Sequence, residues 1–415
     1  MTRTAVRAVP GRLVHLTTTA MSLELLLGPQ LRAFADAGYE VIGCSGPDRF
    51  VTDLADRGIR HVPLRHATRA VAPHRDAAAL AELVRVLRAL RPEIVHTHNP
   101  KPGVYGRIAA RLVGVPVVVN TCHGLYALPD DPWPKRAVVY GLERVAATCS
   151  DAELVQNPED LVTLRRLRVP ARKLHLLGNG VDLDRFRPDR LSAPERAALR
   201  AELGAGPDDV ICGVVGRLVW EKGYREVFEA ARRLAGTAPS VRWVLVGPHE
   251  PDKADAVDGA TLARAQAEAP LRHLGERRDV ERLYGAMDLF VLASHREGFP
   301  RAAMEAAASG LPIVASAIRG CRQVVDDGHT GLLVPAGDAA ALAGAVARLA
   351  ADPDRRVAMG RAAAAKAARE FDQRRVIDET LETYARLRDR RDRPAAVGVT
   401  GGVGGGVTGG NGTAR

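Results

Sequence analysis

Residues 289–312 read L-F-V-L-A-S-H-R-E-G-F-P-R-A-A-M-E-A-A-A-S-G-L-P. The apolar run Leu289 to Ala293 has the length of a strand, and Ser294 to Pro300 holds the turn formers Gly298 and Pro300. Arg301 to Ser309 is an alanine-rich helix stopped by Gly310 and Pro312. Strand, tight turn and helix in that order make one step of a parallel α/β sheet. Two carboxylates mark the step, Glu297 in the turn and Glu305 inside the helix. A helix that begins near Arg301 aims free N–H groups and its positive dipole end at the turn, which suits an anion. Carboxylates cannot attract a phosphate, so beside one their work is to accept hydrogen bonds from hydroxyls, those of a sugar and of a ribose. Those two demands describe a nucleotide sugar. On this stretch alone, two solvated glutamates in an ordinary α/β unit explain the pattern equally well.

A second stretch tips the balance. Val210 to Val215 is an apolar strand that runs into G-R-L-V-W-E-K-G at 216–223, so Arg217 and Lys222 flank one turn after a strand end. Open α/β sheets bind ligands outside the carboxyl ends of their strands. Both turns therefore lie on one rim, and the two cations and Glu297 are expected to converge on one diphosphate.

G-R-L-x-x-E-K-G followed by E-G-F-P-R-x-x-x-E resembles the retaining nucleotide-sugar glycosyltransferases of family 4, whose type B fold has two Rossmann-like domains. Similar pieces stand in order at Asn179 to Asp182 (N-G-V-D), Gly275 to Val280 (G-E-R-R-D-V) and Asp327 to Val334 (D-G-H-T-G-L-L-V). The resemblance runs from about His15 to about Leu387. H-T-H-N-P-K-P-G from His96 and N-T-C-H-G-L-Y ending at Tyr126 are similar to members that extend polyprenyl-diphosphate-linked sugars in bacterial glycan assembly. The resemblance implies that Glu297 contacts the donor sugar, that Phe299, Pro300 and Arg301 present backbone N–H groups, and that Glu305 holds the ribose. Gly216, Arg217, Lys222, Arg277 and Val280 complete the donor side. His123 would approach the donor sugar and the departing bond, with Thr18, Asn99 and Lys101 on the acceptor side. The family often carries a glycine-rich first loop; here it is Thr17-Thr18-Thr19-Ala20. Retention is likewise implied by the family, in which the leaving phosphate oxygen takes the acceptor's proton and no protein general base is required.

The rest of the chain fits two series of βα units. Strands are predicted at 12–17, 40–44, 60–63, 94–97, 117–121, 152–155 and 173–176, then at 210–215, 241–246, 271–274, 289–293, 313–315 and 332–334. A helix over Ser22 to Ala37 must kink or start late at Gly28-Pro29. R-F-R-P-D-R-L-S-A-P-E-R after Asp182 reads as a linker. The expected organisation is an acceptor-side Rossmann-like domain over 1–187, a donor-binding one over 188–372, a helix over 373–393 that returns to the first domain, and a disordered Gly-rich tail over 394–415. No G-x-G-x-x-G follows a strand, which counts against a nicotinamide or flavin site.

Composition narrows the partners. The net charge of +10 is concentrated in residues 1–187, where 26 Lys and Arg stand against 18 Asp and Glu. Aromatics at 4% without basic interleaving argue against nucleic acid, and a lipid diphosphate or an anionic bilayer fits better. W-P-K-R-A-V-V-Y-G-L-E-R-V-A-A at 133–147 suits a membrane interface, although an ordinary domain helix reads the same way. No run approaches the ~20 apolar residues of a span, so a cytoplasmic chain with peripheral contact at the inner face of the plasma membrane is expected. Five scattered cysteines give neither a disulfide framework nor a zinc site. His96 and His98 invite a metal reading, which fails for want of a third ligand if they lie on an edge strand. No Asp-x-Asp stands at a donor-side strand end, so no metal and no cofactor are expected. A nucleotide-sugar epimerase on the same fold remains the alternative enzyme.

Overall fold

A computed structural model describes residues 11–67, 73–98, 100–129, 131–250, 253 and 255–392. Asn99 and the Gly-rich stretch from 394 lie outside the described residues. Thirteen strands fall where the apolar runs predict them. The first seven are β1 (Arg12–Thr19), β2 (Glu40–Gly46), β3 (Arg60–Pro63), β4 (Ile94–His98), β5 (Val117–Cys122), β6 (Ala152–Val155) and β7 (Leu174–Leu176). They form one parallel sheet in the order β3-β2-β1-β4-β5-β6-β7. The other six are β8 (Val210–Val215), β9 (Val241–Val246), β10 (Leu271–His273), β11 (Leu289–Leu292), β12 (Ile313–Ser316) and β13 (Gly331–Val334). They form a second parallel sheet, β10-β9-β8-β11-β12-β13. Two Rossmann-like α/β layers result, each with helices on both faces. That arrangement is why the strands read as continuous apolar runs rather than alternating ones.

Strand alternation sorts the side chains to two faces. Ile211, Val244, Phe290 and Ile313 enter one apolar cluster, and their neighbours Cys212, Trp243, Val291 and Val314 enter another on the far face. In the first sheet Leu13, Ile94, Val117 and Val119 share a face. His15, His96, His98 and Thr121 follow them at even spacing onto that same face. In both sheets the strand order reverses once, between β1 and β4 and between β8 and β11. A crevice opens at such switch points, outside the carboxyl ends of the strands. The turns after β8 and β11, singled out in the sequence, are the two that flank it.

The chain departs from the sequence reading in two places. Ser22 to Ala37 is not one kinked helix: Ser22–Leu26 is a single π-turn, and an α-helix restarts at Gly28–Asp36 with Pro29 in its first turn. The supposed linker ends early, because Ser192 and Glu195 form a capping box that starts the helix Ala193–Glu202. The last long helix, Gln373–Asp392, packs back on the first half, against β5 and the helix Gly28–Asp36. Its Tyr384 is fully buried, edge-on to Phe34 at 5.6 Å and Tyr39 at 6.0 Å, and Arg388 pairs with Glu93 at 2.5 Å. The chain crosses between the halves where Val181 N donates to Phe371 O and Gln373 N donates to Val181 O, at 2.8 and 3.1 Å. All five cysteines are free, four of them buried. Among the described residues no helix is long and apolar enough to cross a membrane.

Candidate active site

The donor-side rim is built from two turns locked together by one glycine. After β8 the chain passes Gly216 and Arg217 into a 3-10 turn, Trp220–Lys222, and leaves it through Gly223 in the left-handed region, φ 78°. A side chain at Gly223 would enter the carbonyl of Ala293, at the end of β11. His295 N donates to Glu221 O at 2.9 Å across the same seam. The seam delivers Lys222 Nζ to Glu297 Oε1 at 2.6 Å, and Ser294 Oγ donates to the same oxygen at 2.7 Å. Lys222 and Glu297 keep 26% and 11% of their side chains exposed, so the pair faces solvent but is not bathed in it. Arg217 is half-buried, and its side chain has no hydrogen-bond or ion-pair partner among the described residues.

The helix Arg301–Ala308 starts behind Pro300, as its sequence implies. Glu305 accepts from Arg301 Nε at 3.1 Å and from Tyr284 Oη at 3.3 Å. Burial pushes its carboxyl above the ordinary range, and the Arg301 guanidinium opposes that shift. Arg301 also reaches across the cleft, its Nη1 donating to the carbonyls of Leu25 and Leu26 at 3.1 Å each. Those carbonyls are available because the π-turn breaks the regular i to i−4 ladder. Phe299 turns its ring inward against Phe371, centroids 5.9 Å apart, so only its main chain lines the turn. Arg277 is less open than the sequence suggests. Its guanidinium is held by both Asp279 oxygens, at 2.8 and 2.7 Å, next to Val280 at the start of the helix Val280–Ala286.

The first half meets this rim at His123 and Gly124, directly after β5. A side chain at Gly298 would strike the carbonyl of His123, and one at Gly124 (φ 127°) would meet Gly298. Asn157 Nδ2 donates to Gly298 O at 2.9 Å. Arg319 pairs with Asp160, and Arg296 donates to the carbonyls of Leu125 and Tyr126. The His123 main chain thus lies against Gly298, the residue after Glu297. A cavity of about 580 Å³ opens further along the same cleft, between Asp48, Arg49 and Phe50 on one side and Pro248, His249 and Glu276 on the other. Thr18 and Lys101 also come together, lining a small separate cavity with Asp76 and Tyr105, where Lys101 Nζ pairs with Asp76 at 2.6 Å.

Sequence reasoning missed Asn157, Arg296 and Arg319, each of which bonds a partner in the opposite half, and it missed His15. It also misplaced His96 and His98, since β4 is a central strand and not an edge. His15 on β1 supplies the third imidazole that spacing could not, and ring nitrogens of the three lie within 4.8 Å of one another. All of those nitrogens except His15 Nε2 are already engaged. His15 Nδ1 contacts His98 Nε2 at 3.0 Å, His98 Nδ1 contacts His123 Nε2 at 3.0 Å, and His96 bonds Tyr384 and Thr121. The rings of His96 and His98 stack at 4.2 Å instead of converging on a point. The cluster is a hydrogen-bonded array and does not fit a metal. Burial holds all four rings neutral, with His15 lowered to about 3, His123 to about 4, and His96 and His98 well below the usual value.

Two parallel-sheet Rossmann-like halves, with a basic turn and a carboxylate turn locked together on one rim of the cleft between them, define a glycosyltransferase of the type B fold. Residues 30–185 match the family described as Glycosyltransferase Family 4, and residues 195–366 match Glycosyl transferases group 1. The chain is 33% identical to UDP-Gal:alpha-D-GlcNAc-diphosphoundecaprenol alpha-1,3-galactosyltransferase of Escherichia coli, over 74% of this chain and 78% of that one. It is 24% identical to a diacetylbacillosaminyl-diphospho-undecaprenol alpha-1,3-N-acetylgalactosaminyltransferase of Campylobacter jejuni, over 91% and 99%. In fold it matches Anabaena HepE, solved in complex with UDP-glucose, with a TM-score of 0.75 at 21% identity over 91% of this chain and 100% of that one. The chain belongs to the family 4 glycosyltransferases. The comparisons give the epimerase alternative no support.

Lys222→Ala or Glu297→Ala is expected to lower kcat by at least 100-fold, the scale of losing one charge-stabilising group at a reacting centre (~2.7–4 kcal/mol). Each single change also leaves a half-buried partner unpaired, at about 1–3 kcal/mol of stability, so urea midpoints fall modestly and the double change is no worse in kcat than either single one. Near-parental turnover in both would remove the pair from the site. Glu305→Gln carries a pH signature. Because burial raises the Glu305 pKa, its ionised form opposes folding, and that opposition grows as pH rises above the ordinary glutamate range. The variant should gain thermal stability over the parent at neutral pH, and the gain should disappear at acid pH, while donor KM rises.

Proposed function

We propose that the protein transfers a hexose or N-acetylhexosamine from a nucleotide sugar, a UDP-sugar first, to a sugar already linked through diphosphate to a polyprenyl lipid, with retention. The observation that carries this reading is the Lys222–Glu297 pair, on the rim that meets His123 and Gly124 across the cleft. Breaking the anomeric C–O bond leaves negative charge on the diphosphate, and fixed cations lower the barrier where that charge develops. Lys222 and Arg217 are the groups placed for it. Glu297, drawn on by Lys222 and Ser294 through one oxygen, keeps its second oxygen for a sugar hydroxyl. Glu305, pinned by Arg301 and Tyr284, is placed to accept from the ribose. Arg277 contributes by fixing Asp279 and the start of its helix more than by direct contact. The acceptor reading rests on the Escherichia coli and Campylobacter jejuni relatives, whose names specify diphosphoundecaprenol-linked acceptors.

A lipid-linked acceptor places the chain at a bilayer, and one helix fits that task. Trp133–Thr148 turns its apolar residues outward: Trp133, Val138, Leu142 and Val145 are 76, 62, 44 and 57% exposed. Val138, Leu142 and Val145 fall at i, i+4 and i+7, on one stripe. Arg136 and Arg144 are exposed on the same helix, whereas Lys135 is tied to Asp131 at 2.8 Å. An ordinary domain helix buries that stripe. Peripheral docking on an anionic surface is the use that matches its chemistry, each cation near the surface contributing about 1 kcal/mol.

The transfer reading is tested with a panel of labelled UDP- and GDP-sugars and a short-chain polyprenyl diphosphate carrying one N-acetylhexosamine. Acceptor-dependent extension with the donor's anomeric configuration kept in the product is expected; release of free sugar only, or epimerised donor without acceptor, overturns it. Docking is tested by flotation with phosphatidylglycerol vesicles at low salt. The parent should float, salt should release it, and Leu142→Asp with Arg144→Glu should leave it in the soluble fraction. A parent that never floats would assign the stripe to another partner.

A further inference from the structure

Four imidazoles lie in contact on β1, on β4 and just after β5, and three of them form a line that ends in the cleft. His15 and His98 are 0 and 1% exposed, and the line runs His15 Nδ1, His98 Nε2, His98 Nδ1, His123 Nε2 with two contacts of 3.0 Å. A neutral imidazole has one N–H and one lone pair, so three in series must all point the same way. Suppose His123 donates from Nε2 to His98. His98 must then donate from Nε2 to His15, which is left with its own proton on Nε2. That atom is buried and has no partner. A buried N–H without an acceptor is a rare and costly state, whereas a buried lone pair without a donor is tolerated better. The opposite sense leaves only a lone pair on His15 Nε2. His15 Nδ1–H then donates to His98 Nε2, His98 Nδ1–H donates to His123 Nε2, and His123 carries its proton on Nδ1.

We propose that His98, backed by His15, is a positioning residue for the transfer reaction: through its Nδ1–H it fixes the tautomer and ring plane of His123, and so holds the His123 carbonyl against Gly298 in the turn that carries Glu297. This rests on the reading that His123 faces the donor sugar. Loss of the link frees the His123 ring to rotate and the end of β5 to shift beneath it. The phosphate and ribose groups of the donor are held on the other half of the molecule, so the effect falls on turnover and not on donor binding.

The tautomers are read directly by long-range 15N–1H spectra of the full chain labelled at histidine, without substrate. His15, His98 and His123 should each show a protonated Nδ1 and a bare Nε2 between pH 6 and 8; a protonated Nε2 on His123 overturns the proposal. In kinetics, His98→Leu should lower kcat at least tenfold with donor KM within twofold. His98→Asn, whose amide N–H lies near the position of Nδ1, should recover most of the loss. Parental kcat in the Leu variant, equal loss in both variants, or a rise in KM at constant kcat each overturns it. If His123→Ala retains parental kcat while the spectra show the expected tautomers, the donor-sugar reading of His123 has failed and the hydrogen-bonded line has not.

Discussion

The structure depends on a place where there is no room for a side chain. At Gly298 the main chain of the donor-side turn lies against the carbonyl of His123, and Gly124 occupies the reciprocal position on the other half. A methyl group at either point would drive the two rims apart, and Glu297 with them. Gly223 imposes the same demand within the donor half, where the turn after β8 must touch Ala293 to bring Lys222 onto Glu297. Backbone contact positions more firmly than long side chains do, because it has no rotamers to choose among. The charged groups of the site are therefore held at the tips of turns whose own placement is set by packing.

Around that seam the halves are joined by arginines that donate to carbonyls and carboxylates of the opposite side. Arg296 reaches Leu125 and Tyr126, Arg319 reaches Asp160, and Arg301 reaches Leu25 and Leu26. Such contacts are polar and separable, unlike the apolar clusters that hold each sheet to its own helices. Arg301 makes two of these attachments with one guanidinium, since it also fixes Glu305. Whatever occupies Glu305 is thereby in touch with the facing half.

The strands and both rim turns were legible because their signals are local: a continuous apolar run bounded by Gly and Pro encodes a buried parallel strand without reference to anything else. Glu297, Arg217 and Lys222 could be assigned to one rim from strand direction alone. The histidine line could not be read in the same way. It depends on β1 lying beside β4, with His15 level with His96, a register no spacing in the sequence reveals. The supposed edge position of His96 and His98 failed for the same reason, as strand order is a property of the assembled sheet. At the helix Trp133–Thr148 the sequence left two readings open; its inward side is made by Tyr140, Ala146 and Ala147 and by Glu143, paired with buried Arg107 at 2.7 Å, while its apolar stripe faces out. The π-turn at Ser22 left no trace beyond Gly28-Pro29.

Tyr384 completes the core of the first sheet from the far end of the chain, filling the space between Phe34 and Tyr39 and bonding His96 beneath them. A buried aromatic ring of this kind contributes roughly 1.5–3 kcal/mol, a large part of the margin by which a domain is stable. On the ribosome the first 187 residues emerge well before it. They must wait as an unfinished layer, with three imidazoles and two aromatic rings uncovered, until the second sheet has been made and the last helix has left the exit tunnel. The order of synthesis is thus the reverse of the order of completion: the half that is translated first is the one finished last.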